Sequence, residues 1–533
     1  MRNIKFDFKD KVSLYYKTFL NSKKYLLIYL LFLSTLFLSV ISKKTIYHPK
    51  FEILTFILVV IVGILCLVYY FSHNNDKELY KVAFVVILCF GIICSFIVPI
   101  MDISDETEHL IRSEITSQGV LIPHWTGEDM GVSTSFNLSS DGKKIFNGAG
   151  YETIESMSFY SQNREITIFE TTHDTDKINN SKIIFHSAFE QNPFYGYLPQ
   201  AIGVLFAKLL DLNLIWIMWL GRIFNLICYA IFISIAIKKT PILKIPLLAV
   251  ACIPLTIYQA ASISIDSMIF GLGILAVSYF IWMCKSKNVN IKNIIIFTVI
   301  CLLLGLCKLP YLSFIFLILF IPKENFKEKE YLSIYILLSI VFVSVIGILW
   351  SHYSTPALMH SWRPIETNSN AIEQINFLIN NPHAIMIFIK QIFTSDLQFI
   401  LNGFFNFYNG TPGAHYTDNY SFITVVLQLF LILALFLYPI NANFNLKTKI
   451  GCLGTLLLVY VGTSFVQLLS WADIGKTNLG ISLRYFIPLL ALIPIIFSSN
   501  YNFFNKEEFD KYSIVLIVGF MSILILSFAT KYY

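Results

Sequence analysis

The feature that most constrains this chain is the recurrence of apolar runs of nearly bilayer-spanning length. A transmembrane helix needs roughly 17 to 25 predominantly apolar residues. Thirteen runs meet or approach that length, at residues 25–41, 53–72, 82–100, 213–236, 245–258, 266–284, 292–307, 311–322, 331–350, 422–440, 449–470, 484–499 and 512–530. Because 56% of the 533 residues are hydrophobic and only 14% are charged, a soluble fold could not bury this much apolar surface. The sequence therefore predicts an all-α polytopic membrane protein with about 13 transmembrane helices.

Lysines between these runs predict how the chain crosses the membrane. They cluster at residues 5–24, 238–244, 285–292, 323–329 and 447–449. Cytoplasmic loops carry an excess of Lys and Arg, so the N-terminus is predicted to be cytoplasmic in a plasma-membrane protein, with Lys43, Lys44 and Lys50 as the exception. We divide the chain into a cytoplasmic tail (1–24), an added transmembrane hairpin (25–72), a membrane core (82–500), and a cytoplasmic loop with the last transmembrane helix (501–533).

The polar part of the chain is predicted to form a cap on the outer face. With the N-terminus inside, the three longest polar segments, 101–195, 351–421 and 471–483, all emerge outside. Segments 101–195 and 351–421 are expected to build a small mixed cap, with a short strand at Arg164–Glu170. A channel or carrier usually places its polar groups at mid-membrane. Few of these spans carry a charge near the centre, which disfavours an ion path.

An acidic segment follows the apolar run at 82–100. Asp102, Asp105, Glu106 and His109 recur at spacings of three and four, which on a helix would place them on one face. Ser104 is the predicted N-cap, and Gly119 is the predicted end of this helix. These carboxylates either mark the end of a membrane span and complement the helix dipole, or they perform chemistry at the membrane surface.

Three further charges lie where membrane helices meet the outer face. Arg484 opens a helix from outside, where a guanidinium can bind a phosphate at headgroup depth or can anchor the helix by snorkelling. Asp266 and Lys308 lie in two outer turns. Either these two side chains pair with each other, or Lys308 helps to bind an anion.

Other motifs limit the range of functions. The net charge of +6 comes from loop lysines, so it indicates topology and not nucleic-acid binding. All nine cysteines lie in or beside apolar runs, which argues against a disulfide framework or a Cys-based zinc site. The sequence has no phosphate-binding loop of the nucleotide type. Among proteins that transfer sugars, this absence favours one whose sugar donor is carried on a lipid over one that uses a sugar nucleotide.

The dispersed motifs resemble the DUF2142 family of bacterial membrane proteins from about Val82 to Phe497. The resemblance rests on Asp105-Glu106-x-x-His109, Tyr195-x-Tyr197, Gly221-Arg222, Gln259 to Asp266, Lys308-x-Pro-Tyr311 and Arg484-Tyr485, in that order. Two departures stand out. Ser104 and Thr107 replace prolines that the family usually has, and three predicted helices precede the acidic motif instead of one.

That family is in turn similar to the GT-C superfamily of polyprenyl-phosphate-dependent glycosyltransferases. The resemblance implies a GT-C-like core that transfers a sugar from a polyprenyl-phosphate lipid to a cell-envelope glycan on the outer face. It implies Asp105 as the general base with Glu106 as second choice, supported by Asp102 and His109. Arg484, Lys308 and Arg222 would bind the donor phosphate, and Tyr195, Tyr197, Gln259, Asp266, Tyr311 and Tyr485 would line the substrate site. Whether a divalent cation (Mg²⁺ or Mn²⁺) lies between the acids and the phosphate stays open.

Two other functions compete with this interpretation. A transporter or flippase of lipid-linked saccharides would use the outer carboxylates only to bind sugar, and charges along a mid-membrane path would favour it. A non-catalytic scaffold of envelope assembly would tolerate substitutions in the acidic segment. Membrane lipids are partners in all three cases, and nucleic acids are partners in none.

Overall fold

A computed structural model of the chain describes residues 2–42, 49–73, 76–123, 136–138, 144–146, 151–162, 167–169, 175–185, 189, 192–327, 330–359, 369–404, 421–439, 443–477, 481–499 and 503–533. Within these ranges nine helices are long and apolar enough to cross a membrane. The strands there are four short segments paired in two antiparallel two-stranded sheets. The predicted class, an all-α polytopic membrane protein, is therefore confirmed.

The elements follow one another in a simple order. The helices are α1 (Arg2–Asn21), α2 (Lys23–Ile41), α3 (Pro49–Ser72), α4 (Leu79–Ile97), α5 (Glu106–Ser117), α6 (Met157–Gln162), α7 (Leu198–Leu209), α8 (Ile215–Lys239), α9 (Lys244–Ala251), α10 (Pro254–Ala260), α11 (Asp266–Lys285), α12 (Ile291–Cys307), α13 (Leu332–Met359), α14 (Ala371–Asn380), α15 (Pro382–Gln391), α16 (Leu397–Phe404), α17 (Ser421–Phe436), α18 (Leu446–Trp471), α19 (Ile493–Ile496) and α20 (Lys506–Tyr532). The strands are β1 (Phe136–Leu138), β2 (Lys144–Phe146), β3 (Tyr151–Ile154) and β4 (Lys182–Phe185). Helices of the 3-10 type cover Phe194–Gly196, Leu309–Phe320, Lys323–Asn325 and Leu483–Leu492, and a π-helix covers Ile392–Asp396.

The predicted count of thirteen spans stays a prediction. The run at 245–258 is divided into α9 and α10, with Pro254 at the start of the second helix. The runs at 311–322 and 484–499 are largely 3-10 helix, which rises about 2.0 Å per residue compared with 1.5 Å in an α-helix. Twelve residues of 3-10 helix at Leu309–Phe320 therefore extend about 24 Å. This tighter winding lets short runs cross a large part of a bilayer.

Two helices form the centre of the bundle. In α11 and α20, 94% of the most apolar stretch is buried within the protein, whereas in α13 the value is 17%. Helices α2 and α3 of the predicted added hairpin pack mainly against α20. The Tyr29 hydroxyl of α2 donates to the Val59 carbonyl at 3.0 Å and lies 2.8 Å from the Ser522 hydroxyl of α20. Helices α2, α3 and α20 therefore form one packed unit, which we call the three-helix unit.

Close backbone contact holds α7 against α8. A side-chain carbon at Gly203 would lie 2.3 Å from the Leu220 carbonyl oxygen, so only glycine permits this approach. Helix α8 also packs along α4 and α11. Arg222, two residues after Leu220, is thereby fixed beside the end of α4, where the acidic segment begins.

Small elements between α5 and α7 cover one end of the bundle. Strand β3 pairs with β4 from Tyr151 opposite Phe185 to Ile154 opposite Lys182. Buried side chains of α5, β3, α6, α7 and α8 share one apolar cluster, which includes Leu110, Ile154 and Met218. Of the predicted strand at 164–170, only residues 167–169 are described, and they are not a strand. We call this end of the bundle, which carries Asp105, the acidic end.

Candidate functional site

The acidic loop, residues 98–105, joins α4 to α5 in a strained backbone conformation. Met101 and Asp105 have φ angles of 59° and 63°, in the left-handed region. That region costs an L-residue roughly 1–2 kcal/mol, and such strain concentrates at functional sites. The N-cap of α5 is Asp105, so the predicted cap at Ser104 was wrong. The predicted end is confirmed, because α5 stops at Ser117 and Gly119 follows with φ 86°.

Asp105 does not cap α5 with its carboxylate, because that carboxylate pairs with Arg484. The Arg484 Nη2 atom donates to Asp105 Oδ2 at 2.5 Å, and Nη1 donates to the Ser104 carbonyl at 3.2 Å. The Arg484 side chain is 3% exposed, whereas that of Asp105 is 26% exposed. Two residues 379 positions apart are thus joined at the acidic end, and the carboxylate keeps access to its surroundings.

A second carboxylate lies on the other side of the same guanidinium. Asp266 Oδ2 is 3.3 Å from Arg484 Nε, an ion pair without hydrogen-bond alignment. Both atoms are buried, and neither has an aligned hydrogen-bond partner among the described residues. The side chain of Asp266 therefore pairs with Arg484 and not with Lys308. Buried polar atoms without partners carry a desolvation cost, so a donor or acceptor from a bound molecule would be favoured here.

Lys308 completes the positive side of the site. This half-buried side chain lies between α12 and the 3-10 helix that follows, with its Nζ atom over the ring of Tyr485, 2.9 Å from the ring centre. Burial lowers the pKa of Lys308 to about 7; Asp266 offsets part of this effect, and Arg484 adds to it. The Lys308 side chain therefore loses its proton more readily than an ordinary lysine does.

Three helices begin at this cluster. Asp266 opens α11, Lys308 precedes the 3-10 helix Leu309–Phe320, and Arg484 is the second residue of the 3-10 helix Leu483–Leu492. The Tyr311 hydroxyl donates to the Tyr485 carbonyl at 2.7 Å and ties the two 3-10 helices together. Helix N-termini carry partial positive charge. Together with Arg484 and Lys308 they make this cluster a favourable place for an anion.

Glu106 and Arg222 lie behind the cluster as a closed ion pair. Arg222 Nε and Nη2 donate to the two oxygens of Glu106 at 2.8 and 2.6 Å, and both side chains are 0% exposed. The arginine also donates to the Ser95, Val98 and Pro99 carbonyls. This arrangement corrects the expectation that Glu106 could serve as a base and Arg222 as a phosphate ligand, because each already satisfies the other. The pair fixes the acidic loop.

Asp102 and His109 are likewise held by hydroxyl groups. Asp102 Oδ2 accepts from the Tyr258 hydroxyl at 2.7 Å, and Asp102 Oδ1 accepts from the Tyr532 hydroxyl of α20. His109 Nδ1 lies 2.7 Å from the Tyr197 hydroxyl. The supporting role expected for Asp102 and His109 stays a prediction. The contribution of Tyr532 was not predicted, because no pattern in the sequence links the last helix to the acidic segment.

The remaining predicted lining residues differ in their burial and in their hydrogen-bond partners. Tyr197 and Tyr311 are fully buried, and the Tyr195 hydroxyl donates to the Leu303 carbonyl at 2.6 Å, so these three have structural contacts. Gln259 is also fully buried, and its amide has no hydrogen-bond partner among the described residues. Of the predicted lining residues, Tyr485 is the one that contacts both cations of the site.

The residues present do not fit a divalent cation well. No group of three His, Cys, Asp or Glu side chains with a metal-binding arrangement occurs in the part of the chain that the structure describes. Asp105 and Asp266, the two acids closest to the expected position, flank a guanidinium instead. A metal ion between them would have to displace Arg484, so no catalytic step is assigned to a metal.

An apolar groove lies beside the same 3-10 helix that carries Arg484. It has a volume of about 200 Å³, and its lining includes Phe393, Leu397, Leu456, Tyr460, Phe486 and Leu489. Phe486 follows Arg484 by two residues, so the groove begins close to the charged cluster. The Tyr460 hydroxyl donates to the Ile392 carbonyl at the π-helix. The sequence did not reveal this groove, because its walls come from α16, α18 and two irregular helices.

The fold and this site define a class: a polytopic α-helical membrane protein with a buried acid–guanidinium cluster at one end of its bundle. Within that class, the chain belongs to the family described as predicted membrane protein (DUF2142), whose model matches residues 88–493, that is 406 of 533 residues. No curated protein and no solved structure matches the chain. The family assignment confirms the resemblance seen in the sequence, and α2, α3 and all of α20 lie outside the matched region.

Proposed function

We propose that this protein is a membrane glycosyltransferase that moves a sugar from a polyprenyl-phosphate donor to a cell-envelope acceptor. The observation that carries the proposal is the pairing of Asp105 with Arg484, which brings a partly exposed carboxylate and a phosphate-binding group together at one end of the bundle. In this proposal the acidic end faces outward from the plasma membrane, in agreement with the lysine distribution. The GT-C relationship is part of the proposal and is supported by the same arrangement.

Asp105 is the proposed general base. Its carboxylate would take the proton of the acceptor hydroxyl while that oxygen forms a bond to the anomeric carbon of the sugar. The bond between the anomeric carbon and the phosphate oxygen would break, and its electron pair would leave with the lipid phosphate. Arg484 and Lys308 would stabilise the charge that develops on this phosphate.

The ion pair itself suggests how the base is activated. The Arg484 guanidinium, 2.5 Å from Asp105 Oδ2, holds this carboxylate oxygen in a hydrogen bond. A donor phosphate that binds Arg484 would compete for the same guanidinium. The Asp105 carboxylate would then be released to take the acceptor's proton only when the donor is in place, which protects the enzyme from unproductive chemistry.

The apolar groove supports a lipid-carried donor. A phosphate at Arg484 would place its attached chain near Phe486 and Leu489, which lie on the same 3-10 helix and line the groove. Inside a bilayer, where lipid tails remove the hydrophobic driving force, van der Waals packing against these side chains would hold the chain in the groove. A soluble sugar nucleotide would gain nothing from this surface.

The proposal predicts binding of a polyprenyl phosphate that depends on Arg484. Purified protein in detergent should bind farnesyl phosphate, and farnesol without the phosphate should bind more weakly. Arg484→Lys should weaken farnesyl phosphate binding by about tenfold or more, because an ammonium cannot reproduce the planar two-pronged contact. Binding can be measured by microscale thermophoresis.

A matched control separates this effect from the loss of any buried arginine. Arg112 is also buried at the acidic end and donates to the Leu121 and Asn192 carbonyls. Arg112→Lys should leave the affinity for farnesyl phosphate within about twofold of the wild type. Equal affinities for farnesyl phosphate and farnesol in the wild type would contradict a phosphate site.

The lowered pKa of Lys308 predicts that binding of farnesyl phosphate depends on pH. Because its pKa is lowered to about 7, the side chain is charged below neutral pH and loses its charge as the pH rises through 7. Affinity for farnesyl phosphate should therefore fall by roughly tenfold between pH 6 and 8, beyond the change caused by ionisation of the phosphate itself. Lys308→Arg should remove this part of the pH dependence, since arginine stays charged. A wild-type profile that matches that of Lys308→Arg would exclude Lys308 from the site.

A further inference from the structure

The outer tip of α20 contacts the acidic loop, although the family-matched region ends at residue 493. The Tyr532 hydroxyl donates to Asp102 Oδ1, and Lys531 Nζ donates to that hydroxyl at 2.7 Å. The next residue, Tyr533, donates to the Ile97 carbonyl at 3.1 Å, at the end of α4. Helix α20 and the residue after it, which the family model does not include, thus contact the segment before Asp105 at two points: the Ile97 carbonyl and the Asp102 carboxylate.

The three-helix unit gives this tip a rigid support. Phe528 stacks on Tyr258 with ring centres 5.4 Å apart, and Tyr258 donates to the other oxygen of Asp102. At its far end α20 is tied to α2, where the Tyr25 hydroxyl donates to both oxygens of Glu508 at 2.8 and 2.9 Å. Helix α20 is almost wholly buried between these contacts. Its tip is therefore supported by packing along the whole length of the helix.

The strained backbone explains why such support is needed. Two left-handed residues, Met101 and Asp105, flank Asp102 and Ile103, so the loop would relax if its anchors were removed. Arg222 holds the beginning of the loop through the Val98 and Pro99 carbonyls. Asp102 anchors the loop through its side chain three residues before Asp105, and its two phenol partners come from α10 and α20.

We propose that Tyr532 is a positioning residue: its hydrogen bond to Asp102 holds the acidic loop so that the Asp105 carboxylate faces Arg484. The catalytic meaning of this contact rests on the proposed function, but the contact itself can be tested without it. In this view the three-helix unit, which precedes and follows the family-matched core, stabilises the geometry of the site.

Hydrogen exchange tests the contact directly. In full-length protein in detergent, Tyr532→Phe should increase amide exchange in residues 98–106 by roughly ten- to a hundredfold, because a hydrogen bond to a charged group is lost. Tyr25→Phe is the matched control, since it removes a phenol–carboxylate contact from the opposite end of the same helix. That control should leave exchange in residues 98–106 unchanged. Tyr258→Phe, which removes the second phenol from Asp102, should reproduce the effect.

A separate measurement distinguishes positioning from general stability. Tyr532→Phe should reduce sugar transfer to the cell envelope by about tenfold while its farnesyl phosphate affinity and thermal unfolding temperature stay close to the wild type. Unchanged exchange in residues 98–106 would overturn the proposed contact. Faster exchange with normal transfer would overturn its positioning role. Failure of the wild type to bind farnesyl phosphate would instead count against the proposed function and leave the exchange result standing.

Discussion

Asp105→Asn is expected to reduce sugar transfer by about 10²- to 10⁴-fold, the usual contribution of a positioned general base. Asparagine has nearly the shape of aspartate, but its amide cannot accept the proton of an attacking hydroxyl. The measurement is the sugar content of envelope polymers from cells in which the variant replaces the wild-type protein. Protein abundance in the membrane should remain unchanged, because the Asp105 side chain is partly exposed and Arg484 keeps Asp266 as a partner.

A second carboxylate at the same end of the bundle provides the control for this substitution. Asp473 lies in an exposed ion pair with Lys476, with 2.6 Å between Oδ2 and Nζ, and it is in another connecting segment. Asp473→Asn should leave sugar transfer unchanged, since exposed pairs contribute about 0–1 kcal/mol. Normal sugar content in the Asp105 variant would exclude Asp105 as the base. It would favour a transporter or scaffold, in which the acidic segment is not catalytic.

The class of fold was readable from the sequence because each membrane span is a local signal. An apolar run such as 266–284 needs no partner to be recognised, and α11 is found at Asp266–Lys285. The interrupted spans were harder to predict. Pro254 was visible and favours a helix start at that position, so the break between α9 and α10 had a signal. The long 3-10 helices had none beyond Pro310 and Pro488, because hydrophobic periodicity over so few residues does not distinguish helix types.

The candidate site was only partly predictable for a different reason. Residue type and membrane depth identified Asp105, Asp266, Lys308 and Arg484, and these four do converge. Which acid pairs with which base depends on tertiary packing, so the assignment of Arg222 to the phosphate could not be checked from the sequence. The same cause explains the wrong cap: an arginine 379 positions away recruits the Asp105 carboxylate, and local capping rules cannot include it.

Glu106→Leu is expected to destabilise the protein by about 3–5 kcal/mol, the cost of leaving a buried charge without its partner. Arg222 would keep three backbone acceptors but lose the carboxylate that neutralises it inside the bundle. A thermal unfolding series of purified protein in detergent should show a much lower transition temperature, and less protein should reach the membrane. Glu78→Ala provides the control, since it breaks the half-exposed pair with Lys81 and should cost about 0–1 kcal/mol.

The double variant Glu106→Leu with Arg222→Leu distinguishes a simple ion pair from an anchor of the loop. Replacing both members of a buried pair is often nearly neutral. Here Glu106 also accepts from the Met101 and Ile263 amides at 3.2 and 3.0 Å, so removal of both side chains would leave backbone groups of two segments without partners. Each of these groups costs about 1–3 kcal/mol when buried and unsatisfied. The double variant should therefore stay far less stable than the wild type, and full recovery would show that the pair does not fix the acidic loop.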